Sequence, residues 1–414
     1  MKKANLVLMA ALAAAGVVGV VGASLMPATA IAAEKKPTLS DKVRKPLVAA
    51  QESMKTEKWN EAATHIQEAL AVEGRTPYDD FVINDFAWRI YLKQGKLAES
   101  ADALEKALAT GQTPPENQTQ YLKTLTQINL QKRDFPKAVE AGKKYLAANP
   151  ADREVALQMC QAMYLMKDFA GAKAAAEKLA AESSPPAEQV LTLLLRINYD
   201  AKDAAGTTHS LESLVRYYPK QTYWKDLLND QLFRTRDERA LRALYRLMSD
   251  TNTLDKGEDY AEMGTMLIAG GFPTEAKQIL ERGLSANLLQ GPAKDRAQAD
   301  LATATKSAAA DAKDLPGAEK ALASAKSGNE MVAIGKLYFS TGDHAKAAAA
   351  IEKGLAAGGV KDPDDAHLLL GIAYARAGDS AKAGAALDAV KDAQLTDLAH
   401  LWKLKLEVAG KSAG

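Results

Sequence analysis

Cysteine is nearly absent from this chain. Cys160 is the only one in 414 residues, so no intramolecular disulfide can form and stability must come from packing. Charge of one sign is also missing. The 53 Lys and Arg against 52 Asp and Glu leave a formal charge of +1, which gives no global field for nucleic acid or an anionic lipid surface. The five histidines are His65, His209, His344, His367 and His400. No two share a helical face at three- or four-residue spacing, so a helical metal pair is excluded. There is no Walker-type phosphate loop and no nucleophile elbow. Gly16, Gly19 and Gly22 fall inside an apolar N-terminal run and say nothing about nucleotides. No alternating β-branched run bounded by turns signals a strand. Beyond the N-terminal run, no stretch is long and apolar enough to span a bilayer. These absences lead to the expectation of an all-α, non-enzymatic protein with no resident cofactor or metal and no nucleic-acid partner.

What is present begins with that N-terminal run. Lys2 and Lys3 precede an apolar segment from Leu6 to about Met26, closed by Ala28-Thr29-Ala30-Ile31-Ala32-Ala33. This is the layout of a bacterial secretory signal, with cleavage after Ala30, Ala32 or Ala33. The rival reading is an uncleaved membrane anchor, because the run is about long enough to cross a bilayer. The Ala-rich close and the glycines favour cleavage, and the segment has no cysteine for lipid attachment. Export to the periplasm follows, with no stable membrane insertion once the signal is removed. Loss of Lys2 and Lys3 takes the formal charge from +1 to −1.

The rest of the chain repeats. Gly335, Tyr338, Gly342, Asp343, Ala347 and Ile351 recur 36 residues later as Gly371, Tyr374, Gly378, Asp379, Ala383 and Leu387. A period of this length marks a solenoid whose units bury their apolar faces only by stacking on neighbours. Each unit reads as two antiparallel helices joined by a short turn, often Gly-Asp. The second helix carries a small residue that lets it nest, with large apolar residues on the same face behind it. The nesting residues are Ala62, Ser100, Ala138, Ala172, Thr207, Ala240, Ala276, Ala347 and Ala383. The 71-residue gap between the last-but-two and last-but-one holds a degenerate unit, nested by Ala318 and followed by Leu322. That makes about ten hairpins. Trp59, Leu97, Phe135, Phe169 and Phe272 close turns, while Pro150 and Pro219 end second helices. Leu398, Leu401, Trp402, Leu404, Leu406 and Val408 mark a C-terminal capping helix.

These positions resemble the tetratricopeptide repeat family over about residues 42–392. The match is strongest in the last two units and in Tyr260, Gly264, Gly271, Ala276, Leu280 and Gly283. It departs at Trp88, which replaces a small crossing residue, and at Gly142, which replaces a large apolar one. The resemblance implies a right-handed superhelical solenoid of about ten helix-turn-helix hairpins with a capping helix. The expected organisation is a signal at 1–33, a flexible lead-in at 34–41, a solenoid at 42–290, a degenerate repeat or joint at 291–328, two further repeats at 329–392, and a capping helix and tail at 393–414.

In such repeats the first helices line a groove. The phase of each helix points Gln51, Lys55, Arg89, Lys93, Gln127, Gln131, Gln161, Tyr164, Arg196, Tyr199, Asn229, Phe233, Lys336, Phe339 and Arg376 toward it. Amides suit an extended peptide backbone, aromatics give apolar contact at low entropy cost, and cations favour carboxylates. Some family members grip a terminal carboxylate with a Lys and an Asn four residues apart. Lys225 and Asn229 match that pair, but Thr265 stands where a further Asn belongs. Cys160 occupies a crossing position, where a small buried side chain is expected. His344 reads as a solvated turn residue. Asp362, Asp364 and Asp365 precede a helix and read as caps, since the spaced ligands and glycine of a calcium loop are missing.

The function expected is a periplasmic scaffold for protein or peptide partners. The run Leu214–Trp224, then Leu232-Phe233-Arg234 and Tyr260–Leu284, resembles periplasmic repeat proteins found with TonB–ExbB–ExbD systems. The alternatives are an accessory of envelope assembly or polysaccharide export, and a small-ligand receptor or enzyme whose polar site converges from several repeats.

Overall fold

The turn between paired helices explains why this sequence folds as hairpins. In a computed structural model, which describes residues 37–412 (side chains through 410), one short motif recurs. Arg133, Lys167, Lys202, Gly342 and Gly378 each adopt a left-handed backbone, with φ between 59° and 90° for the five. The next residue is an aspartate in every case. Its N–H reaches back five residues, as in Asp134 N to Asn129 O (2.8 Å), Asp168 N to Met163 O (2.9 Å) and Asp343 N to Tyr338 O (3.0 Å). That bond closes the first helix. The aspartate carboxylate then accepts from the backbone three residues on, as Asp168 does from Gly171 N (2.9 Å) and Asp379 from Lys382 N (3.0 Å). One residue therefore ends one helix and caps the next. The Gly-Asp pairs were visible in the sequence; the same turn carried by Arg or Lys was not.

Contacts divide the described residues into two compact units, one ending at Thr113 and one beginning at Pro114. The proposed signal at 1–33 lies outside the described residues. In the first unit α1 (Asp41–Lys55) pairs with α2 (Trp59–Leu70), and α3 (Pro77–Lys93) with α4 (Leu97–Ala109). Val43, Leu47, Ile66, Ile83 and Ile90 form its core, all nearly or fully buried. Thr76 and Asp79 make a reciprocal capping box at the start of α3.

The second unit continues with α5 (Pro115–Gln131), α6 (Phe135–Ala148), α7 (Arg153–Leu165), α8 (Phe169–Ala181), α9 (Glu188–Asp200) and α10 (Ala204–Tyr217). It goes on through α11 (Gln221–Arg234), α12 (Glu238–Asp250), α13 (Gly257–Ala269), α14 (Pro273–Ser285) and α15 (Gly291–Asp314). A 3-10 turn, Leu315–Gly317, leads to α16 (Ala318–Ser324), α17 (Gly328–Ser340), α18 (His344–Ala357), α19 (Pro363–Ala377), α20 (Ser380–Asp388) and α21 (Thr396–Ser412). No strand occurs among the described residues. The all-α solenoid of paired hairpins expected from the repeat is therefore what the chain forms. α6 and α10 stop at Ala148 and Tyr217, just before Pro150 and Pro219.

Nine of the ten nesting residues are no more than 2% exposed. Thr207 differs and is only half-buried. In its hairpin the contact passes instead through Gly206 and Ser210, because Asn198 Nδ2 donates to Gly206 O (3.1 Å) and Ser210 Oγ (3.0 Å). A Cβ on Gly206 would fall 2.7 Å from the Asn198 amide. The crossing glycines are equally constrained: a Cβ on Gly264 would meet Leu280 at 2.4 Å, and one on Gly335 would meet Ile351 at 2.5 Å.

Stacking becomes irregular at the eighth hairpin. α15 runs 24 residues and buries only Ala297 and Ala304, while α16 has 7 residues. From α17 onward the chain folds back. α19 and α21 pack on α12, and α21 also packs on α10 and α20. The capping helix thus covers the last hairpin, as expected, and also joins it to the fifth and sixth. Trp402 is fully buried in this contact and donates Nε1–H to Ala243 O at 3.1 Å.

Candidate functional site

The candidate groove residues share one register. They lie seven or eight, and three or four, residues before the cap of the second helix in their hairpin. The same register meets three different environments along the chain.

In the first unit, Arg89 is half-buried and pairs with Asp85 at 2.9 Å, and it lies 5.3 Å from the Trp88 ring. Asp85 is 1% exposed, so Arg89 neutralises a buried acid rather than standing ready as a recognition charge. Lys93 sits over the Trp59 ring at 5.8 Å, Lys55 pairs with Glu52 at 2.6 Å, and Gln51 is half-buried.

At the far end of the second unit the register is occupied by the chain itself. α17 and α19 bring Phe339 and Arg376 against α12, while Lys336 sits over the Phe272 ring at 5.6 Å. Phe339 is 1% exposed, edge-on to Phe272 at 5.8 Å, with Arg246 over its face at 4.8 Å and Arg376 at 5.2 Å. Arg246 gives Glu275 two bonds of 3.1 Å and one of 2.7 Å. Arg376 bonds Glu275 at 3.1 Å and Asp250 at 3.1 Å. Lys405 of α21 reaches Asp250 at 2.7 Å. Burial works to raise the Glu275 carboxyl, and the two guanidiniums overcome it and hold it below the usual carboxylate range. Lys336 is 3.9 Å from Asp365, and burial pushes its ammonium down.

Sequence reasoning missed the helix that fills this place. Arg239, Arg242, Arg246 and Asp250 form one charged stripe on α12, while Ala240, Ala243, Leu244, Leu247 and Met248 are buried on its other sides. A second helix of a hairpin with arginines at positions 1, 4 and 8 of a stripe and apolar residues elsewhere is a helix covered on both faces. That spacing was the available signal. Arg239 ties the stripe to Asp362 at 2.9 Å and to Asp392 at 2.8 Å.

Between these ends the register is open. Gln161, Arg196, Tyr199 and Phe233 are exposed, with Tyr199 at 72% and Phe233 at 79%. Gln127 and Asn229 are half-buried and Gln131 is exposed. Tyr164 donates its hydroxyl to Asp200 at 2.6 Å. A cleft of about 450 Å³ lies between α7 and α9, lined by Gln161, Tyr164, Leu165, Thr192, Leu193 and Arg196 among others. Three sequence-predicted residues, Gln161, Tyr164 and Arg196, thus meet at one concavity. A smaller cleft of about 300 Å³ lies between α10, α11 and α21, beside His209, Glu212 and His400.

The remaining candidates fall into structural places. Lys225 is paired with Asp255, and the Thr265 hydroxyl donates to Asp300 at 2.5 Å, so no carboxylate clamp forms around Asn229. Cys160 is fully buried, and burial pushes its thiol up to about 11. Asp362 caps α19 through Asp365 N at 3.1 Å, and Asp364 accepts from the backbone of Asp392 at 3.2 Å. His344 is not the solvated residue expected. It is half-buried, 5.0 Å from the Phe339 ring, and burial beside Arg376 pushes its imidazole down. The fold-back of α17 onto α14 encloses a turn that is open in a simple solenoid. Among the described residues no group of three or more His, Cys, Asp or Glu is placed to hold a metal ion, and no helix is long and apolar enough to cross a membrane.

Comparison with known proteins agrees with the hairpin architecture. Residues 88–153 and 332–395 match the tetratricopeptide repeat family. No curated protein matches the chain. Among solved structures, one of Naa15/Naa10 bound to HypK-THB is similar at 17% identity and a TM-score of 0.44, over 89% of this chain and 61% of that one. The chain thus spans less than two thirds of that structure's length. A tetratricopeptide repeat protein from Parabacteroides merdae ATCC 43184 is similar at 14% identity and a TM-score of 0.29, over 81% of this chain and 99% of the other.

Proposed function

We propose that this protein is a non-enzymatic scaffold that holds protein or peptide partners on the first-helix face of its middle repeats. One contrast carries the reading. Phe339 uses its register to pack under Arg246 of the chain's own α12 and is buried there. Tyr199 and Phe233, in the same register of the fifth and sixth hairpins, are left 72% and 79% exposed. Large apolar side chains held out in a row on rigid helices favour a partner, because little ordering entropy is lost when one arrives.

Periplasmic location is part of the proposal, supported by the basic start, apolar run and Ala-rich close of residues 1–33. So is an association with TonB-dependent envelope transport, supported by the resemblance of Leu214–Trp224 and Tyr260–Leu284 to periplasmic repeat proteins of that setting. The test is photo-crosslinking in the exporting cell from Tyr199 and Phe233, each replaced by a benzophenone amino acid, with Ala309 on the exposed side of α15 as control. The expected result is a discrete adduct from the two groove positions and none from the control. Identical adducts from all three positions would remove the groove from the account, and recovery of the chain from the cytoplasm would remove its export.

A further inference from the structure

The cations near the first-helix faces of residues 114–412 are nearly all neutralised. Lys123 pairs with Asp152 at 2.9 Å and Glu154 at 3.2 Å, and Arg234 pairs with Asp230 at 2.8 Å. Lys225 pairs with Asp255, and Arg376 pairs with Asp250 at 3.1 Å. Arg196 is the exception among the groove candidates of this unit: it is exposed, and among the described residues no carboxylate pairs with it. The three acids nearest in the chain are already engaged. Asp200 accepts from Tyr164, Asp203 pairs with Lys173 at 2.7 Å, and Glu188, which lines the cleft, is held by Lys220 at 2.5 Å and by the Tyr223 hydroxyl at 2.5 Å. The walls beside the guanidinium are apolar. Leu193 is buried and Leu165 is 52% exposed, and both line the same cleft of about 450 Å³. Gln161 and Gln189 stand at its rim, exposed.

We infer that this cleft receives an extended, acidic-aliphatic segment of a protein partner. An aliphatic side chain sits against Leu165 and Leu193, and an adjacent carboxylate pairs with Arg196. The amides of Gln161 and Gln189 engage the segment's backbone. An unpaired guanidinium beside apolar walls favours a carboxylate, because an incoming acid gives it bidentate bonds with both partners charged, which neutral acceptors do not. The volume lies in the range of pockets that hold a few side chains. This inference rests on the scaffold reading and names the chemistry of its partner. The carboxylate can come from Asp or Glu side chains or from a chain terminus.

The test is fluorescence anisotropy of the full chain with the labelled heptapeptide Gly-Ser-Leu-Glu-Leu-Glu-Leu. Its Lys-for-Glu and Gln-for-Glu versions are measured beside it, each with a free and an amidated C-terminus. The acidic peptide should bind at least tenfold more tightly than the lysine peptide. Arg196→Glu and Leu165→Asp should each weaken it at least tenfold, with unchanged melting curves because both side chains are exposed. Lys225→Glu, outside the cleft, should leave affinity within about twofold. Loss on amidation assigns the terminal carboxylate, and loss on Gln substitution assigns the side chains; either supports the contact. Equal binding of acidic and lysine peptides, or unchanged binding by Arg196→Glu, would overturn it. Discrete crosslinks from Phe233 alongside that negative result would leave the scaffold reading standing.

Discussion

Replacing Glu275 by glutamine should be among the most damaging conservative changes in this chain. The carboxylate is buried, 7% exposed by residue, between Arg246 (3% exposed) and Arg376. It accepts three contacts from Arg246 and one at 3.1 Å from Arg376. A glutamine of the same shape offers one oxygen and no charge, leaving two guanidiniums close together out of water. Removing one partner of a buried ion pair costs about 3–5 kcal/mol, a large part of the roughly 5–15 kcal/mol that holds a domain folded. The damage should centre on the fold-back contact. Urea denaturation followed by far-UV circular dichroism gives the magnitude, and limited proteolysis reports whether residues beyond 327 open first. Adding Arg246→Met should recover part of the loss, because the double variant removes one stranded charge, with a coupling of about 1–3 kcal/mol. Dependence on pH checks the same point. The Glu275 carboxyl is held below its ordinary range by the two arginines against the opposing effect of burial. Its contribution is therefore present above the ordinary carboxylate range and is lost as pH falls through the depressed value. The wild type should lose stability at acid pH more steeply than the Gln variant. A loss below about 1 kcal/mol, or no coupling to Arg246, would refute the network as the closure that holds the C-terminal hairpins.

Two glycines test the packing register in opposite directions. Gly335→Ala should destabilise by about 1–3 kcal/mol through overpacking, since its Cβ would lie 2.5 Å from Ile351 and 3.2 Å from Ala347 O. Gly142→Ala should be neutral or stabilise by up to about 1 kcal/mol, since its Cβ would meet nothing closer than 3.6 Å; paired thermal melts in which both variants shift the same way would refute the register. Cys160, buried and with its thiol pushed up to about 11, should resist a disulfide reagent at pH 8 in the native chain and react once in urea; rapid native labelling would refute its burial. His400 pairs with Glu212 at 3.2 Å across α21 and α10 and is raised by that bond. Its contribution is full below the ordinary histidine value and fades as pH rises through the raised one, so His400→Gln should flatten the melting temperature between about pH 6 and 8; an unaltered pH profile would count against the contact.

Local rules were legible in the sequence because they are carried by one helix or one turn at a time. Ala347 and Ala383 could be placed from their spacing, and both are fully buried. Arg133, Lys167 and Lys202 escaped notice because no residue type announces a left-handed backbone once glycine is replaced; the aspartate behind each is the better sign. The fold-back was hidden for a different reason. A periodic pattern predicts that each unit meets the next, and contacts such as α12 with α19 or α10 with α21 have no local term that announces them. Only the unpaired demand of charged residues could reveal it. Asp237 serves Arg239 locally, but Arg239, Arg242 and Arg246 on a helix already apolar on its other faces needed more acids, and Glu275, Asp362, Asp365 and Asp392 supply them.

The same reasoning separates the candidate groove into parts that its residue types alone did not distinguish. Phe339 and Arg376 carry the chemistry expected of a binding face and use it on α12, and Lys336 uses its charge on the Phe272 ring. That contact shows what this register can do when a helix fills it: an aromatic ring accepts a guanidinium on its face while carboxylates take up the remaining donors. Arg196 presents the complementary case: Tyr164 beside it is bonded to Asp200, and under the proposed reading the carboxylate for the guanidinium comes from the incoming segment. A chain that closes one stretch of its register on itself has fewer faces left for partners, and its open clefts then matter more. The exposed span from Gln161 to Phe233 is therefore where loss of a single charge, at Arg196, should separate partner binding from stability.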